Sequence, residues 1–192
     1  MTTYGTTTCM NANRKLFKNM SLPTNTLAFI GLANEFCQAL ETARETTREE
    51  FVDTMLRLLP RLYISATDLT LDPLVEEYDE PYLESLLDED YYESVRRNIE
   101  NLMGPDDLYL EVFEDDMKYS DTPIAVSIAE GLCDMFQVLY NFIGMIKDAP
   151  DEYITPAIIA VKSEFGAYWS RPLCNVLRAL NHIKYNTEEE KE

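Results

Sequence analysis

The chain is short of the residues that most enzymes rely on. Histidine occurs once in 192 residues, as His182 near the C-terminal end. That excludes any Ser-His-Asp or Cys-His arrangement built elsewhere in the chain. It also excludes the usual di-iron bundle, which needs a Glu-x-x-His on each of two helices. Glycine occurs six times and is scattered, and no Gly-Lys-Ser or Gly-Lys-Thr follows any of them, so there is no phosphate-cradling loop. With nine prolines besides, turn signals are too few for a many-stranded fold. No uninterrupted apolar run reaches the length of a membrane-spanning helix. The four cysteines, Cys9, Cys37, Cys133 and Cys174, contain no Cys-x-x-Cys, and three lie within apolar helical patterns. They read as buried free thiols in a reducing, cytoplasmic setting, although spacing alone leaves a disulfide pair open.

Arg14, Lys15 and Lys18 followed by the apolar residues 27–33 imitate a secretory signal. The apolar run is too short, begins after Pro23-Thr24-Asn25-Thr26 and has no small-residue cleavage site behind it, so the signal reading fails.

What the chain does have is acid and apolar surface. Hydrophobic residues make up 46%, enough for one folded domain with a sizeable core. Net charge is −19, and residues 72–121 carry 18 acids against 3 bases, which places −15 of it in fifty residues. Such a field repels phosphate backbones and anionic membranes and attracts cations or basic proteins. Direct nucleic-acid binding and membrane binding are therefore not expected. Imitation of nucleic acid is a third reading. Its signature would be capture of a DNA-binding protein that is lost at high salt.

The apolar periodicity is helical almost throughout. Residues 1–23, rich in Thr and Asn, read as a disordered leader, residues 24–185 as a helical domain and residues 186–192 as an acidic tail. A first helix over 25–43, capped by Thr24 or Asn25, puts Leu27, Ile30, Asn34, Cys37 and Leu40 on one stripe. Thr47-Arg48-Glu49-Glu50 is a capping box ahead of Phe51, Met55, Leu58 and Leu62, with a kink expected where Pro60 interrupts. Residues 72–90 read as an acidic loop with a short helix around 81–87. Asp88 caps a helix over 89–103 that Gly104 ends, and a short helix follows over 106–117.

Asp121 or Thr122 then caps a long central helix with Pro123 in its first turn. Ile124, Ile128, Leu132, Met135, Leu139, Phe142 and Ile146 form its stripe, and Gly131 and Gly144 within it suggest close helix approach. Thr155 caps the next helix, whose stripe is Ile154, Ile158, Val161, Phe165 and Trp169. Ser170-Arg171-Pro172 kinks or restarts the chain into a last apolar face of Leu173, Val176, Leu177, Leu180 and Ile183. The expected fold is an all-α, single-domain bundle of six or seven helices around a long central helix starting near Thr122.

Two groups of residues qualify as a site. Glu111, Glu114 and Asp115 on one short helix and Glu130 and Asp134 on the central one would supply five hard oxygen ligands for Mg²⁺ or Mn²⁺. All-α nucleotide pyrophosphatases use helix-borne carboxylates in this general way. Acids are abundant here, so solvated or capping roles compete for every one of these residues. The second group is Asp115, Asp116, Tyr119, Ser120 and Asp121 at the mouth of the central helix, facing Trp169 and Arg178, with His182 one turn beyond Arg178. A Trp–Arg stack or an Arg–carboxylate pair would clamp these regions together.

Tyr119-Ser120-Asp121-Thr122-Pro123-Ile124 before Ser127-Ile128-Ala129-Glu130 resembles a bacterial family, the domain of unknown function 5063. So does Glu35-Phe36-Cys37 ahead of Leu58-Leu59-Pro60-Arg61-Leu62-Tyr63, and Tyr168-Trp169 with Leu177-Arg178-Ala179-Leu180 is similar to its closing pattern. The resemblance covers roughly residues 25–183. Ser170 stands where the pattern has Gly, and Asn181 where it has His. It implies an all-helical bacterial protein and no particular reaction. The leading expectation is a non-enzymatic acidic interaction protein that binds a basic partner or cation, with no cofactor. The alternative is a divalent-metal-dependent hydrolase of a phosphorylated small molecule.

Overall fold

The computed structural model describes residues 22–70, 80–111, 124–148 and 150–186. Helices α1 (Thr24–Glu41), α2 (Arg48–Thr67) and α3 (Glu89–Met103) lead into a 3-10 turn (Gly104–Asp107) and strand β1 (Leu108–Glu111). Strand β2 (Ile124–Ser127) runs directly into α4 (Ile128–Asp148), and α5 (Ile154–Glu164) and α6 (Ser170–Tyr185) follow. A π-turn, Phe165–Trp169, joins α5 to α6 into one rod. The chain is thus mostly helical, with five rods and a two-stranded antiparallel sheet among the described residues, where the sequence predicts six or seven helices and no sheet.

Helix α4 is the centre. It packs on α1, α3, α5 and α6, while α2 closes the far side against α1 and α6. The stripe predicted for it is buried from Ile128 onward: Leu132, Met135, Leu139, Phe142 and Ile146 are all inside. Phe29 of α1 meets Phe142 at 5.6 Å between ring centres, and Trp169 meets Phe165 edge-on at 4.5 Å. Gly131 lies where a Cβ would stand 2.8 Å from Val176 Cγ2, so its missing side chain sets how closely α6 approaches α4. At Gly144 the close neighbour is the Leu86 side chain on a loop rather than a helix.

Several local signals are realised as read. The Thr47–Glu50 capping box forms in both directions, Asp88 accepts from the Asp90 and Tyr91 amides at the start of α3, and Gly104 ends α3 at φ 59°. Helix α2 continues through Pro60.

Other expectations are corrected. The central helix starts at Ile128, not near Thr122 (Asp121, Thr122 and Pro123 lie outside the described residues). Residues 124–127 pair as a strand with 108–111, and oxygens from Ser127 and Asp107 serve the first turn of α4. The helix expected over 106–117 is turn and strand as far as Glu111, and residues 112–117 lie outside the described residues. No helix forms over 81–87, because the amides there donate across to α4 and α5 instead of to their own i−4 carbonyls.

Helix α1 begins at Thr24 behind Pro23 without a side-chain cap. Asn25 instead donates to the Asp68 carbonyl and to Thr70 Oγ1, tying the start of α1 to the end of α2. Of the stripe expected for α1, Ile30, Cys37 and Leu40 are inside, together with Thr26, Phe29, Ala33 and Phe36, while Leu27 is exposed. Helix α5 starts at Ile154 out of a 3-10 turn and has no cap bond from Thr155. Cys37 and Cys133 are buried free thiols, but Cys174 is free and exposed on α6.

Candidate functional site

The non-helical stretch around β1 and β2 is where the acidic segment meets the C-terminal helix. In the antiparallel register Leu108 faces Ser127, Tyr109 faces Val126, Leu110 faces Ala125 and Glu111 faces Ile124. Directly opposed residues share a side of the sheet, so Leu108, Ser127, Leu110 and Ala125 lie on one face and Tyr109, Val126, Glu111 and the exposed Ile124 on the other. The first face is open: Leu108 is 66% exposed and Leu110 54%. The second rests against α6. There Asn175 Nδ2 donates to Glu111, and Arg178 Nη2 donates to the Leu110 carbonyl at 2.9 Å. Burial first, and then the Glu111 charge, push the Tyr109 phenol up to about 12.

A buried carboxylate fixes this stretch to the core. Asp107, only 4% exposed, accepts from the Ala129 amide at 2.8 Å, and Ser127 Oγ accepts from the Glu130 amide at 3.0 Å. These bonds satisfy two of the free N–H groups of α4, and the aspartate charge sits at the positive end of the helix dipole.

Asp134 forms a second polar cluster two turns along α4. It accepts from Tyr92 OH of α3 at 3.0 Å and from Tyr168 OH of the π-turn at 2.7 Å. Burial raises the Tyr168 phenol to about 12, aided by its hydrogen bond to Asp134 and by that carboxylate's charge. Burial and the same carboxylate also raise Tyr92 well above the ordinary phenol range.

Three of the five carboxylates read as metal ligands are described. Glu111 is held by Asn175, Asp134 is held by two phenols, and Glu130 is exposed. Among the described residues no group of three His, Cys, Asp or Glu is placed to hold a metal ion. Glu114 and Asp115 lie outside the described residues, as do Asp116, Tyr119, Ser120 and Asp121 of the other candidate group. Trp169 does not face Arg178 across a groove. It is fully buried, packed on Phe165 and Phe29, and its indole N–H donates to the Val161 carbonyl at 3.2 Å. Arg178 instead donates to a backbone carbonyl and Asn175 to Glu111, and the carboxylates at 115–121 expected to pair with Arg178 lie outside the described residues. His182 lies beyond it, its Nδ1 near Asn186 Nδ2 at 3.2 Å.

A sequence profile described as Domain of unknown function (DUF5063) matches residues 20–186. The chain belongs to that family. Its fold is shared by a crystal structure of protein BF1032 from Bacteroides fragilis, with a TM-score of 0.73 and 29% sequence identity. The match covers 90% of this chain and 97% of that one. No curated protein sequence matches. The DUF5063 span contains the whole sheet, the Asp134 cluster and the loop at 80–88. No described helix is long and apolar enough to cross a membrane.

The most important polar residue missed in the sequence is Asn141. It is 6% exposed in the middle of α4, and its Oδ1 accepts from the Leu86 amide at 2.9 Å and the Leu87 amide at 2.8 Å. The loop is further held by Tyr82 N–H on the Pro156 carbonyl and by Glu84 N–H on Met145 Sδ. The signal is an amide between Tyr140 and Phe142 in a strongly apolar helix, where a buried polar group needs a partner.

Proposed function

We propose that this DUF5063 protein is a non-enzymatic interaction module whose acidic face receives a basic protein segment. The observation that carries the reading is the coincidence of charge and apolar exposure. The open sheet face of Leu108, Leu110 and Ala125 is formed by one strand inside the segment that carries −15 and one just beyond it. Exposed apolar side chains on strands that belong to or follow an acidic segment suit a partner that is apolar at its centre and basic at its edge.

Two variants of the full chain test this by affinity capture against wild type at low and high salt. One reverses charge at Glu76, Glu77, Asp79 and Glu80 to Lys, and the other carries Leu108→Ser with Leu110→Ser. The expected result is a basic partner retained by wild type at low salt and lost in both variants. Retention of every captured partner by the charge-reversed chain would sink the reading.

A further inference from the structure

A second feature lies at the opposite end of α4 from the sheet. The loop at 80–88 stands over the last turns of α4 and the start of α5 and borders a half-open pocket of about 640 Å³. Its walls are Tyr82, Glu84 and Leu86 from the loop, Gly144 and Met145 from α4, and Pro150 and Tyr153 beyond it. The two tyrosines are 47% and 40% exposed, their ring centres 6.0 Å apart and their planes tilted by 50°. Rings set this way form a corner, in which one guest can lie within about 6 Å of both ring centres, the range over which a cation is drawn to an aromatic face.

Four further properties favour positive charge there. Glu84, an exposed acid, is among the lining residues, and so is Met145 with its polarizable thioether. The site is at the carbonyl end of the 21-residue α4, the negative end of its dipole. The chain as a whole carries −19. The corner is also built in advance, because Asn141, Met145 and Pro156 hold the loop backbone at four separate amides. A rigid wall does not have to be ordered when the guest arrives.

We propose that the Tyr82–Tyr153 corner is a binding site for a small organic cation of the alkylammonium class. The aromatic faces take the alkylated, poorly hydrated head, and Glu84 supplies the counter-charge. This site is separate from the sheet face and does not depend on the interaction reading above.

The test uses the full chain with choline as the probe, and 3,3-dimethylbutan-1-ol, its neutral counterpart of the same shape, as the control. Binding is read from shifts of the Tyr82, Tyr153 and Met145 side-chain signals at constant ionic strength. Choline should bind saturably with one site, and the neutral alcohol at least about 10-fold more weakly. Tyr82→Leu and Tyr153→Leu should each weaken choline by about 5-fold, and Glu84→Gln by about 3-fold. Both tyrosines are at the surface, and an unchanged amide spectrum confirms folding. Should one leucine variant fail to fold, the other with Glu84→Gln decides. Non-saturating shifts, equal binding of the neutral alcohol, or wild-type choline affinity in the folded variants would each overturn the proposal. The last would mean that choline is only a counter-ion on an acidic surface. The Leu108→Ser and Leu110→Ser chain should bind choline normally, so failure of either proposal is recognisable by itself.

Discussion

Two positions along α4 solve the same problem with different side chains. At its N-terminal end Asp107 accepts an amide of the helix from a neighbouring turn. Toward its C-terminal end Asn141, on the helix itself, accepts two amides from a neighbouring loop. Both side chains are buried, yet one is a carboxylic acid and the other a neutral amide. The surroundings account for the difference. Free N–H groups and the positive end of the dipole offset the cost of a buried charge at the helix start. Mid-helix there is no such compensation, and a neutral acceptor avoids the penalty. A polar residue in this core is therefore placed according to where along the helix it falls.

The comparison breaks most visibly at Asn141. Asn141→Leu leaves the Leu86 and Leu87 amides without an acceptor, and a buried unpaired amide costs about 1–3 kcal/mol. Urea unfolding should show a loss of about 2–5 kcal/mol. Hydrogen exchange at these two amides should accelerate far more than exchange in α2. Unchanged exchange there would mean that the loop is held by other contacts.

A smaller effect is expected at the helix start. Asp107→Ala should cost about 1–3 kcal/mol, having removed both the acceptor and the charge. Asp107→Asn keeps an oxygen for the Ala129 amide and should lose only the charge–dipole share, about 0.5–2 kcal/mol. If Asn and Ala prove equally costly, charge rather than the hydrogen bond dominates at this helix start.

Between the two positions, Asp134 accepts from phenols rather than amides, so its contribution appears in pH dependence. Tyr168 has its folded pKa raised from 10.0 to about 12. Its stabilising share is present in full below pH 10 and is lost as pH rises through about 12, since the unfolded chain releases the proton first. In Asp134→Asn the Tyr168 titration, followed by its ring signals, should move back toward 10 without reaching it, because burial remains the largest cause. No movement at all would mean that the Asp134 bond does not form in solution.

What could be read from the sequence is what is local. Thr47 with Glu50, Asp88 with its first-turn amides, and Gly104 after Met103 act within one turn, so spacing alone reveals them. The stripes of α2, α4 and α5 were legible for the same reason. The sheet was not, because each four-residue strand finds its partner across a long intervening segment, and Asp121-Thr122-Pro123 is a strong local helix-start signal. Asn141 and the Tyr82–Tyr153 corner share that invisibility. Their partners are more than fifty residues away in sequence. Of the candidate site residues, Glu111, Asp134 and Arg178 are engaged with other elements, whereas Trp169 is part of the core.

The π-turn at 165–169 has a geometric consequence of its own. The Ser170 amide reaches back five residues to the Phe165 carbonyl, so the rod accommodates one residue more than a regular helix would. Each residue of a regular helix advances the side-chain direction by about 100°. The surplus residue therefore resets the angular phase of everything downstream. It brings Leu173, Val176 and Leu180 to the inside while Cys174 and Arg178 turn outward. Deleting Gly166, whose position has open space where a side chain would be, would barely shorten the rod. It would act as a twist, turning the whole apolar face of α6 away from α2 and α4.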